Sequence, residues 1–272
     1  SSLTVTVKDY SRWIGNGNWD VAENWSDNLV PDGASILVDS NALIINRNVE
    51  VTDLTISPTG RVTLGAGISL HVKGDLTIQS DETNKGSFLD AGGTLTVDGN
   101  VSVGIHLTGE GGATPTGRGW YISSPVSLAK SSVFDAFGGN RLWSYNEGIF
   151  DYNPEITDNT TDLDTLQGYV ARLGTTGVYT FTGGNLNTGV LSLTGLTRTG
   201  TGHSKRGYHL IGNPYPCTLD WESVETINIL PTYWYRTANG SNSMVFDTYN
   251  IYSEIGTNNS GVELTQYIPP MQ

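Results

Sequence analysis

The chain lacks most of what would staple, anchor or steer a protein. It has a single cysteine, Cys217, among 272 residues, so no intrachain disulfide can form. No run approaches the roughly 20 apolar residues of a membrane-spanning helix, so a membrane-embedded chain is not expected. Fourteen Lys and Arg stand against 27 Asp and Glu, a net charge of −13. The cations are also scattered, whereas tracking a phosphate backbone needs them concentrated, so nucleic acid is not an expected partner. The opening SSLTVTV carries no secretory leader and reads as a processed start. Helical periodicity is nearly missing, with one short helix expected around residues 221–227.

Reactive constellations are missing too. His71, His106, His203 and His209 form neither H-E-x-x-H nor a compact Cys/His cluster, which argues against zinc. Ser204 in GHSKRG lacks the G-x-S-x-G spacing of a nucleophile elbow. Cys217 has no histidine partner in the pattern and reads as a structural thiol. The acidic residues of the first half sit mostly at turns, such as Asp75 and Asp98, rather than as a facing pair across a cleft. The chain is therefore not expected to be an enzyme.

Glycine is plentiful, at 34 residues. Between the glycines, Val, Ile, Thr, Tyr and Trp alternate with polar residues in short runs, the pattern of strands and turns. Leu64, Ala66, Gly67, Leu70, Val72, Gly74, Leu76 and Ile78 recur 25 positions later as Leu89, Ala91, Gly92, Leu95, Val97, Gly99, Val101 and Val103. A shorter version, VEVTDLTI, precedes them at residues 49–56. One such unit cannot bury its apolar face, but stacked units can, so residues 1–112 read as a short right-handed β-solenoid of three or four rungs. Solenoid ends need caps. Trp13, Trp19 and Trp25 lie just before the first rung, in RWIGNGNWDVAENWSD, and are expected to plug that end. Trp19 and Trp25 are also kept as candidates for stacking on a sugar ring.

Past the link TGEGGATPTGRG the pattern changes, and residues 113–272 read as a β-sandwich in which one motif is written twice, over 119–195 and 207–272. GWYISSPVS resembles GYHLIGNPYP with one residue inserted, and LWSYNEGIFDYN resembles the stretch from YWYRTANG to VFDTYN. LQGYV matches IPPMQ so that Gln167 falls on Gln272, and a further Gly-aromatic-Val strand is expected beyond it. Between the copies, residues 177–195 read as a hairpin turning near 183–187. Two sheets are expected to bury the rings of Trp120, Trp143, Tyr169 and Trp234.

Taken in order, W-x-G-x-G-x-W-x-x-x-x-N-W, the V/L-x-V-x-G-x-L-T-I repeats, L-W-S-Y-N, L-I-G-N-P-Y-P and I-P-P-M-Q resemble the repeat-rich regions of large secreted or surface-displayed Bacteroidetes proteins exported by the type IX route. The resemblance implies an extracellular or outer-membrane-attached location in a Gram-negative bacterium, and adhesive, scaffolding or enzyme-accessory roles. The expected function is a non-catalytic structural or adhesive module of a larger protein, partnered by neighbouring domains, an extracellular glycan or a surface protein. A carbohydrate-binding module is the first alternative, with Tyr233, Trp234 and Tyr235 joining Trp19 and Trp25 at the site. The second is a self-assembling filament subunit in which residues 3–7 donate a strand to a neighbour. The only cofactor considered is calcium, for which Asp151, Asn153, Glu155, Asp158, Asp162 and Asp164 could supply oxygens, although an EF-hand's glycine and terminal glutamate are missing. Thr165 follows Asp164 and precedes Leu166, the Asp-Thr-aliphatic arrangement the resemblance associates with O-glycosylation.

Overall fold

A computed structural model of the chain describes residues 10–109, 119–137, 141–238, 241 and 244–272. The proposed donor strand at residues 3–7 and most of the Gly/Thr/Pro-rich link lie outside them. The protein is all-β, and its only helical pieces among the described residues are short 3-10 turns at Ala22–Asn24, Ser131–Phe137 and Trp221–Ser223. The last of these is the helix expected near residue 221. Asp220 caps it, its side chain accepting the Glu222 N–H at 3.1 Å.

Residues 10–107 form a β-solenoid of about four turns. The strands Ser35–Ile45 and Leu54–Leu64 each serve two faces. Their first parts pair in parallel with Tyr10–Trp13 on one side and Leu76–Ile78 on the other; their second parts pair with Gly17–Asn18 and Ser87–Asp90. The register shifts between Val38 and Ser40, where the chain passes from one face to the next. A third face stacks Val49–Val51, Ser69–Val72 and Thr94–Val97. Alternation sends one residue in two inward, so Ile36, Leu54, Leu76 and Val101 form one buried stack and Val51 and Val72 part of another. Polar residues mark one corner of each turn. The Asp53 carboxylate accepts the Asp75 N–H at 2.9 Å, and the Asp75 carboxylate accepts the Asn100 N–H at 2.8 Å.

The 25-residue repeat is in register over most of its length, with Leu70 opposite Leu95, Val72 opposite Val97, Leu76 opposite Val101 and Ile78 opposite Val103. It slips at its start. Leu64 pairs with Asp90, and Phe88 rather than Leu89 takes the inward position under Val62. A one-residue slip turns a side chain to the other face, and Leu89 is accordingly exposed. The turns are also unequal. Ile36 pairs with Leu54, Leu54 with Leu76 and Leu76 with Val101, spacings of 18, 22 and 25 residues. The longest holds an excursion closed by the Ser80–Lys85 bridge and by Asp81, which accepts the Asn84 N–H at 2.7 Å.

The hairpin expected over 177–195 does not form. Gly177–Thr182 runs antiparallel to the final rung, Val101–Leu107, instead. The rung presents an unpaired edge and the buried side chains of Val103, Ile105 and Leu107, and Tyr179 and Phe181 cover them. Phe134 joins, its ring centroid 5.7 Å from Tyr179 and 5.9 Å from Phe181. Residues 190–199 contain no strand, and Val190 stands 95% exposed.

Beyond the solenoid lies a four-stranded antiparallel sheet in the order Trp120–Ile122, Tyr169–Arg172, Arg141–Ser144, Glu155–Ile156. Tyr169 is buried as expected, but Trp120 and Trp143 are only half-buried and Trp234 is exposed. The Trp120 indole donates to the Thr108 carbonyl at 2.8 Å, and the Trp143 ring lies 5.2 Å from Arg141 and 5.5 Å from Arg172.

The compact units divide at Cys217 rather than near residue 112. One comprises residues 1–217 with Met271–Gln272, and the other Thr218–Pro270. The first closes on Asn213, which is 1% exposed: its N–H donates to the Gln272 carbonyl at 2.7 Å and its side-chain amide to the Cys217 carbonyl at 2.8 Å. The second unit holds the antiparallel strands Thr232–Ala238, Met244–Asn250 and Ile255–Gly256, and the pair Leu219–Asp220 with Tyr267–Ile268.

Candidate functional site

Trp13, Trp19 and Trp25 are packed edge to face. Ring centroids lie 5.1 Å apart for Trp13 and Trp25, and 4.7 Å apart for Trp19 and Trp25. The Trp25 indole donates to the Trp19 carbonyl at 2.8 Å. All three are at most 1% exposed, so Trp19 and Trp25 have no open ring face to offer a sugar. They close the first turn of the solenoid.

Tyr233, Trp234 and Tyr235 alternate across the hairpin of the second unit. Tyr233 points to the packed side, with its ring centroid 5.5 Å from Trp221 and 6.0 Å from Tyr249, and its hydroxyl donating to the Thr265 carbonyl. Burial raises its pKa, and also that of Tyr235. The Tyr249 hydroxyl donates to Glu222, which pushes it up to about 12. Asp247 lies on this side too and is 1% exposed, accepting the Asn259 N–H at 2.6 Å.

Trp234 faces the other way and is 40% exposed. The register places Thr248 opposite Trp234, Phe246 opposite Arg236, and Ile255 opposite Asn250. One sheet face therefore carries exposed Trp234, Phe246, Met244 and Ile255, with the Arg236 guanidinium 5.8 Å from the Phe246 ring centroid. Only Trp234 was foreseen. The alternation in MVFDTYN could have supplied Phe246 and Met244 once paired with TYWYRTA. Of the sequence candidates, this face is the part able to meet a flat apolar ligand, with Thr248 alongside, while the Asn250 amide donates to Thr232 and its oxygen accepts from Tyr252 and Ser253.

The acidic stretch does not assemble a calcium site. Glu155 grips Arg141 through two bonds of 3.0 and 3.2 Å, and Asp162 pairs with Lys130. Asp158 accepts from the Thr161 and Thr160 side chains and N–H groups, which lowers its pKa well below the carboxylate range. Asp151 accepts the Tyr152 N–H at 2.8 Å, the Asp164 N–H donates to the Tyr169 hydroxyl, and Asn153 lies exposed. Among the described residues no three His, Cys, Asp or Glu side chains come together to hold a metal. Thr165 is half-buried in the loop that follows.

Two features went unforeseen. Glu147 is 4% exposed and organises the segment that carries no strand. It accepts the Thr199 and Gly207 N–H groups at 2.8 and 2.7 Å and the Thr197 hydroxyl at 2.9 Å. Hydrogen bonding from Thr199, with that from Gly207 and Thr197, holds its pKa down to about 2. Beside it, the Phe150 ring stacks on His203 at 3.9 Å. The second feature is a shallow groove of about 490 Å³ between the edge strand Thr94–Val97 and the loop containing Asn187 and Leu191. Cys217 is half-buried, and burial pushes its thiol up to about 11, which disfavours the thiolate.

A family model described as a domain of unknown function, DUF8693, matches residues 12–267. No curated protein and no solved structure matches the chain.

Proposed function

Since the chain belongs to the DUF8693 family across residues 12–267, we propose that it serves as a non-catalytic structural or adhesive module within a larger extracellular or cell-surface bacterial protein. The observation that carries the reading is the closure of the solenoid at both ends, by Trp13, Trp19 and Trp25 at one and by Phe134, Tyr179 and Phe181 at the other. Aromatic cover at both ends keeps the apolar core of the turns from water, so the turns act as a stiff spacer that holds other parts of the chain apart. The sequence resemblance to surface-displayed proteins supports the location, with neighbouring domains as the first partners. Single-molecule stretching between handles at residues 10 and 217 tests it. A spacer yields in one cooperative step that moves to lower force in Trp25→Ala. Gradual extension at low force would remove the reading.

A second reading, glycan binding, is favoured by one observation: exposed Trp234 shares its sheet face with Phe246 and Thr248. Retention of the protein on one of a panel of insoluble polysaccharides, lost in a folded Trp234→Ala variant, would support it over the spacer.

A further inference from the structure

The scatter of cations along the chain has one exception. Between Asp164 and Asp220 there is no Asp or Glu, in a protein that carries 27 of them, and Arg198, Lys205 and Arg206 fall within nine residues of that stretch. They sit on the loop TRTGTGHSKRG, residues 197–207. Glu147 pins the base of the loop. One of its carboxylate oxygens accepts both the Thr199 and the Gly207 N–H, and the other accepts the Thr197 hydroxyl. The Arg198 stem lies against Gly207, where a Cβ would meet its Cγ at 3.1 Å, so Arg198 stands beside the arm that carries Lys205 and Arg206.

Outward, the loop offers positive charge and hydrogen-bond donors. Arg198 and Lys205 are exposed and Arg206 is half-buried. Arg12, Lys73, Lys130 and Arg141 each pair with a carboxylate, whereas none of these three does among the described residues. Gly200 and Gly202 take left-handed backbone, with φ of 69° and 82°, and such steps turn successive N–H groups toward one side, the arrangement that receives anions. The N–H groups from Gly200 to Ser204 donate to nothing among the described residues. Thr201 and Ser204 add exposed hydroxyls. Glu147 offsets one of the three charges but stays buried at 4% exposure, so the solvent side of the loop is cationic.

We propose that the loop at residues 197–207 binds the sulfate or carboxylate groups of an acidic polysaccharide. Guanidinium forks match such oxyanions, and free N–H groups complete their hydrogen bonding. The rest of the molecule selects the form of the polyanion. The chain as a whole carries −13, so a broad anionic surface such as a membrane would set its charge against the protein's own carboxylates. A slender polyanion meets the loop alone. Residues 197–207 hold no strand and no apolar side chain, and the His203 ring is already stacked on Phe150, so an acidic peptide would gain little beyond its carboxylates. Saccharide hydroxyls can bond Thr201, Ser204 and the loop's backbone. The site lies in the first unit and does not depend on the Trp234 face of the second.

The test is surface plasmon resonance at 0.15 M salt, where charges beyond about 8 Å are screened, over immobilised dextran sulfate, polygalacturonate, neutral dextran and poly-glutamate. One or both acidic polysaccharides should bind the protein, and which one does so names the group. Neutral dextran should not bind, and poly-glutamate should bind about tenfold more weakly or not at all. Arg198→Ala/Lys205→Ala/Arg206→Ala should weaken polysaccharide binding about tenfold or more, with a thermal midpoint within about 2 °C of the parent. Arg12→Ala/Lys73→Ala/Lys130→Ala removes the same charge from paired cations and should change binding less than about twofold. No binding by the parent, or equal weakening in the two triple variants, would overturn the proposal. So would poly-glutamate held as tightly as the polysaccharides, which would give the loop to an acidic protein.

Discussion

Trp25 touches both other rings of its cluster, so no neighbour can move in to fill the space it leaves. Trp25→Ala is expected to cost about 3–5 kcal/mol, read as a lower denaturant midpoint with unchanged slope. Trp234→Ala, on an exposed face, should stay within about 0.5 kcal/mol of the parent. Glu147 gives a pH dependence whose sign is fixed by its depressed pKa. The stability it contributes is complete above its ordinary value of 4.5 and is lost as pH falls toward about 2. Amide exchange at Thr199 and Gly207 should therefore quicken over that acid range, and Glu147→Gln should show the faster exchange already at pH 6. The tryptophan plug was legible because three large rings stood immediately before the first rung. The Glu147 cluster was not, since its partners Thr197, Thr199 and Gly207 lie 50 to 60 residues away with no pattern linking them.

Alternation locates a strand but does not name its partner. Residues 177–182 and 188–195 both alternate, and a hairpin is the nearest pairing the sequence offers. The last rung of the solenoid offered the first of them a longer ladder and a row of apolar side chains to cover, and that contact won. The consequence can be measured. Val190→Asp, which would disrupt a half-buried hairpin strand, should leave the thermal midpoint unchanged to within about 1 °C. Phe181→Ala, in the strand that does pair, should lower stability by about 3–5 kcal/mol. The 25-residue repeat revealed the third face of the solenoid correctly, because glycine corners at residues 67 and 92 recur at that spacing with positive φ on both. It misplaced Leu89 by one residue, since the corner from Leu64 to Leu70 is one residue longer than the corner from Asp90 to Leu95 that stacks on it.

At the scale of the molecule, residues 218–270 are an insertion into a unit that closes behind them. Asn213 holds both the residue before the insertion, Cys217, and Gln272 after it. Replacing residues 218–270 by a Gly/Ser linker of about six residues, which spans roughly 13 Å, should leave the first unit folded with a single cooperative melt. Loss of that melt would show that the second unit is needed for the first to form. The repeat motifs hinted at two copies but not at this nesting, because a backbone bond between Asn213 and Gln272 has no residue signature. The unequal turns carry a last implication. Spacings of 18, 22 and 25 residues still bring Ile36, Leu54, Leu76 and Val101 into one stack. The inward stacks set the rise from turn to turn, and surplus residues are spilled sideways at the corners, as at Ser80–Lys85, so length is tolerated at the rim and refused in the core.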